Sequence, residues 1–328
     1  MRMMPIHAGV TLWLAAASLG FAQIPAATLT QANTYLQTGQ ADKAIALLSA
    51  LPTSGAGADE AQNLLCRVRF TLQQWNQAVT ECQLAVKLTG NNSDYSMWLA
   101  RALGRQASHA SMFSAYGDAK NALSEWQTAV KLNPQNGPAL SDLGDYYAQA
   151  PGIAGGGTDK AQQVASQLDK LDAVRAAQLR GDIAMQQKNY AAAEQYYKQA
   201  ATANSTPAAD DAWAALASFY RGRQQWTDLD SAIQSCQAAA AKNKDTGVAL
   251  FDAASVLYKA KRNPQLAVQL FQQYLAGSSQ TEDAPAFIAD IRLARLKQQL
   301  GDAAGAQQEL AAASNLAKEF NPSQDPAP

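Results

Sequence analysis

A small residue returns along this chain at intervals that only a stack of helical hairpins sets. Ala44, Ala78, Ala122, Ala161, Ala193, Leu229, Ala267 and Ala306 occupy equivalent points of eight successive segments, with Leu229 the one large member. Twelve residues before most of them stands a second small residue: Ala32, Cys66, Gly181, Ala217, Ser255 and Ala294. Two longer segments have Ala100 and Gly144 in that place. Large apolar residues follow four positions after the anchor at Leu48, Tyr197, Ile233, Phe271 and Leu310, and a further set follows at seven, including Leu51, Leu168 and Tyr274. Helices approach to about 8–10 Å only where their contact positions are small, so the pattern describes two helices per segment meeting along a small-residue seam. Self-similarity of this period is the mark of a solenoid. Composition agrees, because about a third of the 328 residues are Ala or Gln, both strong helix formers.

The segment LLCRVRFTLQQWNQAVTECQLAVKL (residues 64–88) and the ending AKNALSEWQTAVKLNP (residues 119–134, closed by Pro134) resemble tetratricopeptide repeats, as do Trp213, Leu216, Ala217 and Tyr220 in the sixth segment. On that resemblance, repeats start near 25, 59, 93, 137, 174, 210, 248 and 287 and run to about residue 320. It implies an all-α, right-handed superhelix (an alpha-alpha solenoid) of about eight helix hairpins, concave on the side of each unit's first helix. One hairpin cannot bury both faces, so each unit depends on its neighbours. Tyr35, Trp75, Tyr190 and Trp226 are expected to fill the gaps between hairpins.

The first 22 residues read differently. Arg2 precedes an apolar run from Ala8 to Phe21 that ends in small residues, the pattern of a cleavable secretory signal and too short for a spanning helix. The expectation is an exported protein, periplasmic or secreted, with no membrane insertion after cleavage. The count of 26 basic against 27 acidic side chains argues against a nucleic-acid partner held through phosphate. The closing stretch NPSQDPAP (residues 321–328) is expected to be a disordered tail.

Two units are over-long between their helices. In the third, the first helix is expected to continue past Ala107 and turn through residues 114–117. In the fourth, the stretch QAPGIAGGGTDKA suggests a left-handed cap at Gly152 and helix capping by Thr158 or Asp159. Both turns fall on one edge of the superhelix and carry Met112, Phe113, Tyr116 and Ile153. These four either pack on each other and the unit beneath or form an apolar lip for a partner.

No catalytic, cofactor or metal site emerges. Lys160 follows Gly157 at the wrong spacing and without a preceding strand for a phosphate loop, and His109 is the one histidine after the leader. Cys66 and Cys82 lie on faces that meet within one hairpin, so they are either two reduced core residues used for their size, the reading we favour from sequence, or an intra-repeat disulfide. Cys236 falls on a core position.

The family resemblance also points to a groove lined by fixed positions of each first helix: Asn63, Arg67 and Phe70; Met97, Arg101 and Arg105; Asp145 and Gln149; Asp182 and Met185. Farther along it points to Asp252, Lys259 and Arg295. Arg67, Arg101 and Arg105 would form a basic strip suited to a carboxylate, unless they pair with acidic residues of adjacent helices. The function that follows is a non-catalytic protein-interaction scaffold of the cell envelope. Its alternatives are a structural subunit of an envelope assembly or polysaccharide-export machine and, less favoured, a small-molecule binder or enzyme.

Overall fold

The computed structural model describes residues 23–203, 207–242, 247–278 and 280–325, by backbone alone at 112, 113, 207–211 and 247. The leader assigned to residues 1–22 therefore lies outside the described residues. Eight hairpins follow in order. They pair α1 (Ala26–Gln37) with α2 (Ala41–Ser49), α3 (Ala58–Thr71) with α4 (Trp75–Leu88), and α5 (Ser93–His109) with α6 (Met112–Leu132). Next come α7 (Gly137–Gln149) with α8 (Thr158–Leu168) and α9 (Ala173–Gln186) with α10 (Tyr190–Ala201). The last three are α11 (Pro207–Gly222) with α12 (Trp226–Lys242), α13 (Gly247–Ala260) with α14 (Pro264–Ala276), and α15 (Ala286–Gln299) with α16 (Ala303–Leu316). Among the described residues the fold is an all-helical superhelical solenoid, with one isolated bridge between Thr281 and Ala284.

The repeated small residues form the seams. Every anchor from Ala44 to Ala306 and every counterpart from Ala32 to Ala294 is buried. Gly181 shows why size matters there: a Cβ on it would stand 2.7 Å from the Tyr197 ring. That ring is held in turn by its hydroxyl, which donates to Asp182 at 2.5 Å. Gly181→Val should therefore destabilise the fifth hairpin by about 1–3 kcal/mol through overpacking, more than any gain in helix propensity returns. A thermal melt unchanged from wild type would show that the seam is looser than its geometry implies. Leu310 departs from the pattern and is exposed.

Several hairpins turn through one residue in left-handed conformation, at Gly39, Gln73, Lys188, Gln224 and Gly301. The following amide bonds back to a carbonyl near the helix end, as in Gln40 N to Tyr35 O (2.8 Å) and Asn189 N to Ala184 O (2.9 Å), which satisfies an acceptor that the helix itself leaves open.

The over-long units differ in detail from the sequence expectation. In the third, the chain turns at Ala110 and Ser111, and residues 114–117 are already helical in α6. The extra length thus extends both helices of one tall hairpin. Gly117 is tolerated there because it sits on an open face, with nothing near the place a Cβ would take. In the fourth, Pro151 leads into a 3-10 turn (Gly152–Ala154), and the left-handed residue is Gly155 (φ 95°), not Gly152. Gly157 is the N-cap of α8, without a side-chain cap from Thr158 or Asp159.

The tail expectation is overturned for its described part. Pro322–Gln324 form a 3-10 turn with an Asn321 capping box, and Asp325 is buried. Its carboxylate accepts from Arg292 Nη2 at 2.6 Å and from Arg295 Nη1 at 2.9 Å. Two guanidinium groups facing one carboxylate outweigh the entropy of a polar tail.

The solenoid also closes on itself. Gly39, between α1 and α2, sits so close to α15 that a Cβ on it would lie 2.9 Å from Ala286 N. Lys318 N donates to Asp42 at 3.0 Å, and Arg69 Nη1 pairs with Glu319 at 2.6 Å. One apolar cluster includes residues of the first two units together with the fifth to eighth, and a second fills the second to fifth. The first and last hairpins therefore meet.

Candidate functional site: the trough of first helices

The first helices line three clefts. The largest of them, about 820 Å³, lies between the first helices of the first three units and the turn before α15, and is walled by Asn33, Asn63, Arg67, Met97, Arg101 and Glu282, among others. A second, about 650 Å³, is lined by Phe70, Trp98, Arg101, Arg105, Tyr146 and Gln149. A third, about 440 Å³, holds Asp145, Asp182, Met185 and Tyr197. Of the thirteen groove residues named from the sequence, ten reach one of these clefts, whereas Asp252, Lys259 and Arg295 line none of the three. The clefts are contiguous: Trp98, Arg101 and Asp283 belong to the first two, and Asp145 is shared by the second and third.

The arginine strip is engaged within the chain. Arg101 grips Asp142 with two bonds, Nε to Oδ2 at 2.5 Å and Nη2 to Oδ1 at 3.2 Å. Arg67 grips Glu282 in the same forked manner, with Nε to Oε2 at 2.9 Å and Nη2 to Oε1. Both guanidinium groups also rest on the Trp98 ring, Arg67 at 5.4 Å and Arg101 at 4.7 Å from its centroid. Arg105 differs: it is exposed at the mouth of the second cleft and makes no ion pair among the described residues. Phe70 and Trp98 meet edge to face at 5.5 Å and give that cleft an aromatic wall. In the largest cleft, buried Asn63 leaves its Nδ2 without a partner among the described residues.

Asp145 and Asp182 do not answer the arginines. Burial, then the neighbouring Asp182 and Asp142 carboxylates, hold Asp145 well above the usual carboxylate range, and Arg175 offsets this only in part. Asp182 is raised by burial, against the pull of the Tyr197 hydroxyl. This end of the trough therefore favours neutral, hydrogen-bonding acids over a second charged strip.

Farther along, burial lifts Asp252 to about 6 despite Lys259 and Arg292 nearby. Asp290 on α15 rises to about 7, through burial first and Glu309 second. A carboxyl whose folded pKa exceeds its unfolded value stabilises the fold below about pH 4 and loses that contribution as pH climbs through about 7. Asp290→Asn should accordingly raise the melting temperature at pH 8 and leave it nearly unchanged at pH 4. Equal melting of the two proteins at pH 8 would show that Asp290 is well solvated when charged.

The lip residues behave as a pair where they are described. Tyr116 and Ile153 are both exposed, Ile153 at 80%, and the Tyr116 hydroxyl donates to the Ile153 carbonyl at 3.4 Å. The side chains of Met112 and Phe113 lie outside the described residues. Lys160, weighed as a phosphate ligand, instead donates to Gly155 O at 2.8 Å and lies 5.4 Å from the centre of the Tyr147 ring. His109 Nδ1 donates to Arg105 O (2.9 Å), and its ring lies tilted against Trp75 with centroids 5.5 Å apart. Cys66 and Cys82 are joined by a disulfide across the second hairpin, with Cα atoms 5.1 Å apart, so the sequence preference for a reduced pair is corrected. The small-residue seam brings the two backbones near enough to bond.

Sequence reasoning missed Trp98, Asp142, Glu282 and Asp283. Asp142 stands on α7 three residues before Asp145, and helical register alone could have placed it toward Arg101. Glu282 and Asp283 stand on a turn and become part of the trough only because the chain ends meet.

Among known proteins, a family model described as tetratricopeptide repeat matches residues 174–207, which span α9 and α10. A crystal structure of a thermophilic TPR protein in Thermus thermophilus is 22% identical and covers 53% of this chain and 88% of its own, with a TM-score of 0.46. One of a tetratricopeptide repeat protein from Parabacteroides merdae is 14% identical and covers 83% of this chain and 98% of its own, also with a TM-score of 0.46. No curated protein matches the chain.

Proposed function

We propose that this chain, a tetratricopeptide repeat protein, is a non-catalytic scaffold that holds an extended segment of a partner protein along its trough. The observation that carries this reading is the continuity of the three clefts through shared Trp98, Arg101 and Asp145. A surface of this kind, concave and running across several units, suits a peptide better than a compact small molecule. Phe70 and Trp98 offer an aromatic anchor site beside the exposed Arg105, the residue types that dominate binding energy at interfaces. The scaffold acts in the cell envelope: the leader-like start of the sequence and the Cys66–Cys82 disulfide both suit an oxidising compartment. Among the described residues no helix is long and apolar enough to cross a membrane.

The test is cross-linked capture of partners from the cell envelope, with mass spectrometry, by wild type and by Arg105→Glu/Gln149→Glu. Both residues are exposed, so the variant should melt like wild type. At least a tenfold loss of the captured partner is expected. Undiminished capture by a folded variant would place binding on another face.

A further inference from the structure

We infer that the turn between α14 and α15 is a resident occupant of the trough, and that its two adjacent carboxylates model the partner: an acidic segment that competes with this chain's own Glu282–Asp283. The inference rests on the scaffold reading and specifies the chemistry of the bound segment.

The turn reaches across the whole chain to the first units. Glu282 meets Arg67, 215 residues earlier, in a forked pair whose side chains are only 10% and 19% exposed. Gln37 handles the same residue as peptide and as acid. Its Nε2 donates to the Glu282 carboxylate at 3.2 Å, and its Oε1 accepts from Glu282 N at 3.2 Å. That double contact to main chain and side chain is how a groove reads an extended segment, not how stacked helices pack. Asp283 then lines both of the clefts that share Arg101. The turn arrives preformed: Ala284 N bonds to Thr281 O at 3.2 Å, and the buried Tyr274 hydroxyl donates to Ala284 O. An incoming acidic segment would find Arg67 and Gln37 as its donors and would have to displace Glu282 to reach them. Neighbouring Asn63 leaves a buried amide nitrogen without a partner in the same cleft, a donor that the resident turn does not satisfy. An external segment could do so.

The experiment uses a synthetic peptide of residues 280–287 (QTEDAPAF) added to the full chain. Glu282→Gln/Asp283→Asn should bind it at least ten times more tightly than wild type. A peptide carrying Gln and Asn in place of its acids should not bind, and adding Arg67→Ala should abolish binding. Equal binding by wild type and variant, or binding by neither, overturns the inference. Arg67→Ala alone supplies a second reading through amide exchange: residues 280–286 should exchange at least tenfold faster while the rest of the chain keeps its protection. Unchanged exchange there also overturns it. Partner capture through Arg105 is scored separately, so the scaffold reading can survive the loss of this one.

Discussion

Asp325→Ala is expected to destabilise the last unit by about 3 kcal/mol, and a chain ending at residue 320 should do the same. Removing one member of a buried ion pair costs about 3–5 kcal/mol because the remaining charge is left without compensation. Here the remaining charges are Arg292, 12% exposed in its side chain, and Arg295 at 27%. The lower end of the range applies because Arg292 keeps its 2.7 Å bond to Ser255 Oγ and its place 5.3 Å from the Phe251 ring centroid. Arg295 likewise keeps the Tyr258 hydroxyl at 3.0 Å. Chemical denaturation followed by amide exchange of α13 and α15 is the measurement, since stability in a repeat array is lost unit by unit. Wild-type protection of those helices in Asp325→Ala would mean that the closing segment contributes nothing to the fold.

Reduction of the Cys66–Cys82 disulfide should lower stability by a similar amount. The bond closes a loop with a sequence separation of 16, for which chain entropy predicts about 3 kcal/mol. Both residues are fully buried at the seam between α3 and α4, so reduced thiols still fill the space and little packing is lost with the bond. The Cys66→Ala/Cys82→Ala chain loses both buried sulfur atoms as well as the bond, so it should unfold at or somewhat below the denaturant midpoint of the reduced wild type, and below the oxidised one. If reduction leaves the midpoint in place, the bond constrains nothing that the hairpin does not already constrain. The second hairpin supplies Arg67, Arg69 and Phe70, so its loosening should also weaken the contact with Glu282 and Glu319.

Much of the fold was legible because its determinants are local and repeated. Ala at a helix contact permits one packing distance whatever lies elsewhere, and eight such seams in phase fix eight hairpins. The first helices begin at Ala26, Ala58, Ser93, Gly137, Ala173, Pro207, Gly247 and Ala286, close to the expected starts. The turns were less legible. Residues 114–117 form helix where Gly117 suggested a break, since an open helix face tolerates a glycine at a small propensity cost.

The candidate site divides in the same way. The family resemblance places Arg67, Phe70, Arg101, Arg105 and Asp145 on trough-facing positions, and the helical period agrees for those three or four apart on one helix. It says nothing of what each charge meets. That Arg101 holds Asp142, that Arg67 holds Glu282 and that Asp145 is pushed toward its neutral form depend on how far the small rotations between successive hairpins carry the chain. Sequence by itself determined the hairpin, the seam and the facing of the first helices. Only the tertiary structure decided that the last unit returns to the first, because the angle between neighbours is a property of each packed pair and its sum belongs to no single residue.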